Sequence, residues 1–350
     1  MGLDAFNNAT ATFQRAELTI NDPTTSAQFW VDRIIDDVNM IVVLTHQNKT
    51  APMQTNKEAD PSVQRGFDGD YVMAGKMKGV DVIFGGHSDN GLLEPVVHPK
   101  TGTVIGLTFG QGMRLGYTKF TVDTNGHNVS FVSGKLIPVD AGKLTRDEVT
   151  QSLIEKQRSM HPELTEHVAT ISKAAMRKYN KESTLGNLLT DAMRKGASSD
   201  IAMLNSGAIR ADLNAGNITV EHLMNVYPFV DKLTVVQLSG KQIKELAEYS
   251  LTLPYGIGQF SGLQLTYDST KPAMQRLISL TINGKTPIDT KTYSVATTDF
   301  IANGGDGYKV FTEGKLLAAD KMMAKVLFDG FNVMGTTDLP LLNRQADIGQ

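Results

Sequence analysis

Two glycine-rich turns carry the residues of this chain that are best suited to chemistry. The first, at 205–210, ends in a cation at Arg210, and the second, at 302–308, holds a carboxylate at Asp306. Phe229 and Phe300 stand in loop-like contexts beside apolar, strand-like runs. A guanidinium grips phosphate oxygens, a carboxylate accepts hydrogen bonds from ribose hydroxyls, and aromatic rings stack on bases. Together these groups predict a nucleotide site.

Taken singly, each of these residues also has a structural explanation. Arg210 fits a surface position after a turn, and the glycines around Asp306 fit a tight connection that needs positive φ. Phenylalanines are more often core residues than ligand contacts, and the chain has 14 of them. The combination is much more specific than its members, so a nucleotide site is the preferred interpretation.

Two histidines and an aspartate form a second candidate site. His46 and His87 each end an apolar run, and Asp89 follows His87 by two residues. Zinc and manganese accept imidazole and carboxylate ligands, so the three residues predict a divalent metal site. The alternative is that they are polar residues on exposed loops. Three donors are also too few for a two-metal centre, which needs roughly six or more.

The elements that would position the histidines are of α/β type. Apolar residues at helical spacing predict a helix over 26–38. Apolar runs predict strands that cover residues 39–45, 80–84, 103–109, 117–122 and 129–137. The first two runs are typical of buried strands, and the last three of antiparallel strands. Ligands bind beyond the carboxyl ends of strands in such sheets, where both histidines would lie.

Residues 144–177 are rich in Glu, Lys, Gln and Leu and predict a helical linker, with Thr145 as N-cap and a break at Pro162. Beyond it, residues 178–350 predict a second α/β domain. Its expected helices and strands cover 185–195 and 240–250, and 201–204, 233–238, 263–267, 277–282 and 293–297. We therefore expect a two-domain α/β and α+β protein, with residues 1–143 as the first domain.

Composition narrows the function classes. A length of 350 residues suits two domains, and 41% apolar with 20% charged residues is ordinary for a globular protein. A net charge of -3 argues against a nucleic-acid partner, although not against nucleotides. The absence of cysteine excludes disulfides and thiolate metal ligands. The chain contains no apolar run of about 18 residues, so we expect no membrane span, and no signal peptide is visible at its start.

Five motifs between about residues 180 and 315 carry a family resemblance. They are Leu185-Gly186-Asn187-Leu188, Asn205-Ser206-Gly207-Ala208-Ile209-Arg210, Tyr227-Pro228-Phe229, Gln259-Phe260-Ser261-Gly262-Leu263 and Asp299-Phe300-Ile301-Ala302-Asn303-Gly304-Gly305-Asp306-Gly307. In order and spacing they resemble the C-terminal, substrate-binding domain of the bacterial UDP-sugar hydrolase/5′-nucleotidase family. The resemblance implies a 5′-nucleotidase C-terminal α/β domain over 178–350.

The resemblance also implies a role for each residue of the nucleotide site. Phe229 and Phe300 would sandwich the base, and Asp306 would hydrogen-bond the ribose hydroxyls. Arg210 would bind phosphate, and Asn205 would contact the nucleoside. The family places another phosphate-binding arginine just before the Leu-Gly-Asn helix, where this chain has Lys181, which would act as a point charge without the bidentate fork.

Residues 1–143 resemble the same family's calcineurin-like metallophosphatase domain, an α/β sandwich. Val43-Leu44-Thr45-His46 and Gly85-Gly86-His87-Ser88 match two metal-binding loops, so His46 and His87 would be metal ligands. Asp89 stands where the family usually has histidine or glutamine. The family's Asp-x-His, bridging Gly-Asp and Gly-Asn-His-Glu/Asp motifs do not occur, so we expect a partial domain, no identifiable catalytic residue and an incomplete Zn or Mn site.

The expected function is metal-dependent hydrolysis of a phosphate ester in a nucleoside 5′-phosphate or a UDP-sugar. The alternative is a non-catalytic nucleotide-binding remnant that keeps the base-stacking residues. The expected partner is a nucleotide or nucleoside, with neither nucleic acid nor membrane, and an oligomer or a separate N-terminal segment would cover the half domain. By family, the location would be periplasmic or extracellular.

Overall fold

The chain is organised as two units of regular structure. The computed structural model describes residues 18–48, 68–88, 91–110, 112–123, 128–252 and 256–349. Contacts divide these residues into a first unit that ends at Arg146 and a second that begins at Asp147. The mixed α/β character expected from the sequence is confirmed. None of the helices in these ranges is long and apolar enough to cross a membrane.

The first unit contains a small mixed sheet and a separate hairpin. Its elements are α1 (Pro23–Ile34), β1 (Val42–Leu44), α2 (Asp68–Lys76), β2 (Val82–Gly85), β3 (Val96–Val97), β4 (Val104–Leu107), β5 (Arg114–Asp123) and β6 (Asn128–Pro138). The sheet order is β1-β2-β4-β3, and β5 pairs with β6. The strand predicted over 103–109 is parallel to β2 and antiparallel only to the short β3, which corrects the all-antiparallel expectation.

The core of the first unit lies on β2 and β4, which are buried. Helix α1 begins at Pro23 because Asp22 caps it by accepting a hydrogen bond from the Thr25 amide, and it contributes Val31 to the core. The buried strand predicted over 39–45 is wrong in extent and burial. Only Val42–Leu44 is a strand, and Leu44 is 78% exposed because it points to the face opposite Val43, which packs against the core.

The second unit holds most of the regular structure. In chain order its elements are α3 (Glu148–Ser159), β7 (His167–Ile171), α4 (Thr184–Ala197), β8 (Ile201–Asn205), β9 (Gly216–Thr219), α5 (Val220–Val226), β10 (Lys232–Ser239), α6 (Gly240–Ser250), β11 (Gly258–Ser261), β12 (Leu263–Tyr267), β13 (Leu277–Ile282), β14 (Thr292–Thr298), α7 (Asp299–Ala302), β15 (Lys315–Met322), α8 (Met323–Met334), β16 (Thr336–Thr337) and β17 (Gln345–Asp347).

A five-stranded sheet, β11-β8-β14-β10-β15, is the centre of this unit. Alternate residues of β8 enter different cores: Ala202 and Leu204 pack with α4 and α8, whereas Ile201 and Met203 pack with α6. Both faces are therefore covered, which explains why β8 is a continuous apolar run. Two smaller sheets, β13-β12-β17 and β16-β7-β9, flank it.

The predicted helical linker over 144–177 is only partly helical. Helix α3 begins after Asp147, which caps it through the Thr150 amide, and not after Thr145. Pro162 ends the helical region by starting a short 3-10 turn, Pro162–Thr165. Residues His167–Ile171 form β7, which is mostly buried because it pairs with β9 and packs in the core of the second unit.

Candidate nucleotide-binding site

The predicted nucleotide-binding residues other than Lys181 lie at one end of the strands of the five-stranded sheet. Strands β8 and β14 are parallel, and β10 is antiparallel to β14 with Leu233 opposite Thr298. The carboxyl ends of β8 and β14 therefore lie on the same side as the amino end of β10. Asn205 ends β8, Phe300 follows β14, and Phe229 precedes β10. This topology positions the site.

Asn205 and Asp306 form the centre of the site. The Asn205 Nδ2 atom donates a hydrogen bond to Asp306 Oδ2 at 2.7 Å. Asp306 has φ +50°, between Gly304 at +85° and Gly307 at +79°. These three left-handed positions are tolerated because two of them are glycines and aspartate is among the other residues that accept this conformation best.

The environment of Asp306 changes its acidity. Burial raises the pKa of its carboxyl to about 6, while the Asn205 hydrogen bond and the nearby Arg210 charge oppose that rise. The carboxylate is therefore ionised above about pH 6 and protonated below it. An ionised carboxylate has lone pairs left to accept hydrogen bonds from ligand hydroxyls.

Arg210 connects Asp306 with one of the aromatic residues. Its guanidinium carbon lies 5.4 Å from the centroid of the Phe229 ring, and its charge acts on the Asp306 carboxyl. Phe229 is 36% exposed and packs edge-on against Tyr227 with ring centroids 5.4 Å apart. A cation, a carboxylate and an exposed aromatic ring therefore meet in one place.

Phe300 follows β14, at the same end of the five-stranded sheet as Asn205. It is half-buried, and its ring packs on Gly305, where a Cβ atom would lie 2.5 Å from the ring carbons. The described ring contact of Phe229 is with Tyr227 and not with Phe300. The role of the two phenylalanines in sandwiching a base stays a prediction.

Two residues have supporting roles that the sequence does not indicate, although one of them, Asp299, begins the motif at residues 299–307. The Arg177 Nη1 atom donates to the carbonyl of Arg210 at 2.7 Å, and the Arg177 amide donates to Asp212 Oδ1 at 2.7 Å. The Asp299 Oδ1 atom accepts from the Lys232 amide at 3.0 Å and from the Phe300 amide at 3.1 Å. These contacts involve backbone groups, and no residue pattern in the sequence signals them.

Lys181 lies beside this group and not within it. Its side chain is exposed and interacts electrostatically with Asp347. Its carbonyl accepts a hydrogen bond from Gln259 Nε2 at 3.0 Å, and the same amide donates to the Ser206 hydroxyl at 2.9 Å. Lys181 is thus linked to the Asn205 turn through its backbone, and its phosphate role stays a prediction.

The two predicted metal ligands of the first unit are brought together. His87 Nδ1 lies 3.3 Å from His46 Nε2, and the ring centroids are 5.0 Å apart. The buried Asp70 carboxylate accepts hydrogen bonds from Thr45 Oγ1 and Asn48 Nδ2, and Asn48 also donates to the Gly86 carbonyl at 3.2 Å. Asp70 and Asn48 therefore connect the loops that carry the histidines.

Two imidazoles fit part of a metal coordination sphere. A zinc site takes about four ligands, and the described residues contain no group of three or more His, Cys, Asp or Glu placed to share an ion. Asp89 lies outside the described residues. The histidine pair is compatible with a divalent ion but does not complete its site within the described ranges.

Comparison with known proteins gives a family match for the part of the chain that holds the candidate site. Residues 164–313 match the family model described as the 5′-nucleotidase, C-terminal domain. The trifunctional nucleotide phosphoesterase protein YfkN of Bacillus subtilis is 32% identical over 334 residues, covering 89% of this chain and 22% of that protein. The 5′-nucleotidase of Rattus norvegicus is 25% identical over 351 residues, covering 85% of this chain and 56% of the rat protein.

A solved structure supports the same assignment. The crystal structure of a 5′-nucleotidase precursor from Thermus thermophilus matches with a TM-score of 0.76 and 26% identity, covering 94% of this chain and 68% of that chain. The chain spans only 22% of the length of the Bacillus subtilis protein and 56% of the length of the rat protein. Residues 164–313 are therefore a 5′-nucleotidase C-terminal domain, in a chain homologous to 5′-nucleotidases and a trifunctional nucleotide phosphoesterase.

Proposed function

We propose that the second unit binds a nucleotide and that the chain serves the hydrolysis of a phosphate ester in a nucleoside 5′-phosphate or UDP-sugar. The observation that carries this proposal is the Asn205–Asp306 hydrogen bond, with Arg210 close to both Asp306 and Phe229. Asp306 would accept hydrogen bonds from the ribose, Arg210 would bind the phosphate, and Phe229 and Phe300 would stack on the base. Lys181 would add a second positive charge, and Asn205 would orient Asp306.

A divalent ion is part of this proposal. His46 and His87 would hold it together with Asp89, and the bound ion would supply charge stabilisation to the phosphate ester. The part played by the chain itself is orientation, because Arg210 and Asp306 would hold the phosphate and the ribose of a nucleoside monophosphate. Assembly with another chain or segment, and a periplasmic or extracellular location, belong to the same proposal.

The second candidate function is nucleotide binding without turnover. It is favoured by the histidine pair, which the described residues do not extend to a full ligand set. The two functions share the nucleotide site and differ in the chemistry of the first unit.

Two measurements separate the candidates. Calorimetric titration with AMP tests binding, and phosphate release from AMP with added Mn²⁺ or Zn²⁺ tests turnover. The Phe229→Ala, Phe300→Ala double variant should lose binding, whereas Val230→Ala, next to Phe229 and 87% exposed, should keep it. Unchanged affinity in the double variant refutes the nucleotide site, and binding without phosphate release selects the non-catalytic function.

A further inference from the structure

A cavity of about 260 Å³ lies in the second unit, apart from the nucleotide-binding residues. It is lined by residues of α4, the β11–β12 junction, the turn after β13 and the segment before β17. Strand β11 pairs antiparallel with β8, with Gly258 opposite Asn205 and Ser261 opposite Ala202. Ser261 lines the cavity, so the cavity and Asn205 are separated by about 10 Å along the strand pair.

Two arginines line this cavity, and they are bonded differently. Arg344 is satisfied: its Nη2 pairs with Asp191 at 2.7 Å, and its Nη1 donates to the Phe260 carbonyl at 2.9 Å. Arg194 is held only at Nε, which donates to the Ser261 hydroxyl at 2.8 Å. Within the described ranges its two terminal nitrogens have no hydrogen-bond or ion-pair partner.

The framework around Arg194 fixes its position. Ser261 donates its own proton to Asp191, so one carboxylate anchors both arginines. Gly262 has φ +77°, and a Cβ there would lie 3.0 Å from Arg194 Cδ and 2.1 Å from the Asp200 carbonyl. The chain therefore leaves room for the arginine to lie against the backbone at this junction.

Two amides complete the lining. Asn283 and Asn343 line the same cavity, and neither side chain has a hydrogen-bond partner among the described residues. The lining carries two arginines against one aspartate, which leaves a net charge of +1. Hydrogen-bond donors that line a cavity of net positive charge match the oxygens of a small anion.

We propose that this cavity is a second anion site that takes a small oxoanion of the phosphate type, with Arg194 as its main ligand. The site is independent of the proposed nucleotide-binding function, because its residues are distinct from Arg210, Asp306 and the two phenylalanines. Hydrogen bonds to an ionised partner are the stronger kind, so loss of the Arg194 fork should weaken binding about tenfold or more.

Equilibrium dialysis with labelled inorganic phosphate, at constant ionic strength set with chloride, tests the proposal. The full chain with Arg210→Gln should still bind one phosphate, and adding Arg194→Gln should weaken that binding about tenfold or more. Lys195→Gln is the matched control, since it deletes the same charge one residue further along α4, outside the cavity lining. Repeating the dialysis with labelled acetate shows whether the cavity is selective for phosphate or binds carboxylates as well.

A second variant provides an independent test in case the Arg194→Gln protein misfolds. Asn283→Asp keeps the shape of a turn residue with φ +48° and puts a negative charge into the cavity, so it should also abolish phosphate binding. The proposal is overturned if Arg210→Gln binds no phosphate, if Arg194→Gln and Lys195→Gln lower binding equally, or if acetate binds as tightly as phosphate.

Discussion

At the scale of single residues, Asp306 should determine how the proposed nucleoside binding depends on pH. Its pKa is raised to about 6 by burial, so the group gains a proton as the pH falls through 6 and then offers fewer acceptor lone pairs. We expect adenosine affinity to be constant above about pH 7 and to fall below about pH 6. Adenosine is the appropriate probe because it carries no phosphate that titrates in this range.

The Asp306→Asn variant tests this assignment directly. Hydrogen bonds to charged groups contribute about 1.5–3 kcal/mol, so affinity should fall about tenfold to a hundredfold at about pH 7.5. The variant should also lose the pH dependence near 6, since an amide does not titrate. A calorimetric pH series measures both effects, and a fall in affinity near pH 6 that persists in the variant would assign it to another group.

Arg210 should matter for phosphate and not for the nucleoside. Arg210→Lys keeps the charge but removes the bidentate fork, so AMP affinity should fall about tenfold while adenosine affinity changes little. Parallel titrations with AMP and adenosine give the comparison. An equal loss for both ligands would show that Arg210 supports the Phe229 ring, over which its guanidinium lies, and not the phosphate.

At the scale of elements, Asp299 connects the two segments that carry the aromatic rings. One oxygen accepts from the Lys232 amide, at the start of β10, and from the Phe300 amide, in α7. Asp299→Ala should therefore let the segments separate and weaken adenosine binding about tenfold, with less effect on inorganic phosphate. Asp299→Asn retains an acceptor oxygen and should restore most of the affinity. An Asp299→Ala protein with unchanged adenosine affinity would contradict this role.

The sequence predicts those elements whose local patterns agree with their final surroundings. Helix α6 is predicted at its observed bounds because Ser239 and Gln242 form a capping box before an amphipathic run. Strand β7 is not predicted because its five residues follow a charged helix and are stabilised by pairing with β9. The exposure of Val42 and Leu44 in β1 likewise follows from which face of the strand packs on the core, which local sequence does not encode.

The residues of the candidate site also separate into those that the sequence predicts and those that it does not. Asn205, Arg210 and Asp306 can be found from the sequence because they lie in two glycine-rich turns that carry charged residues, and such turns are recognisable motifs. The roles of Arg177 and Asp299 cannot be found in this way, since these side chains bind carbonyls and amides that nearly every residue possesses.

At the scale of the whole molecule, nucleoside binding should belong to the second unit alone. That unit has its own sheet and two buried cores, which are the requirements for independent folding. We expect a fragment of residues 147–350 to bind adenosine within about threefold of the affinity of the full chain. Calorimetry on both proteins is the measurement, with circular dichroism as a check that the fragment is folded. A folded fragment that does not bind would show that the first unit contributes to the site.

The packing of Phe300 on Gly305 has a directional consequence for any ligand. Backbone already occupies part of the ring, and even a methyl group at position 305 would collide with it. The aromatic surface at Phe300 is consequently single-sided: a base can approach it only from the free side. A base held between Phe300 and Phe229 would therefore have to stack on that free face, because the backbone at Gly305 prevents stacking on the other.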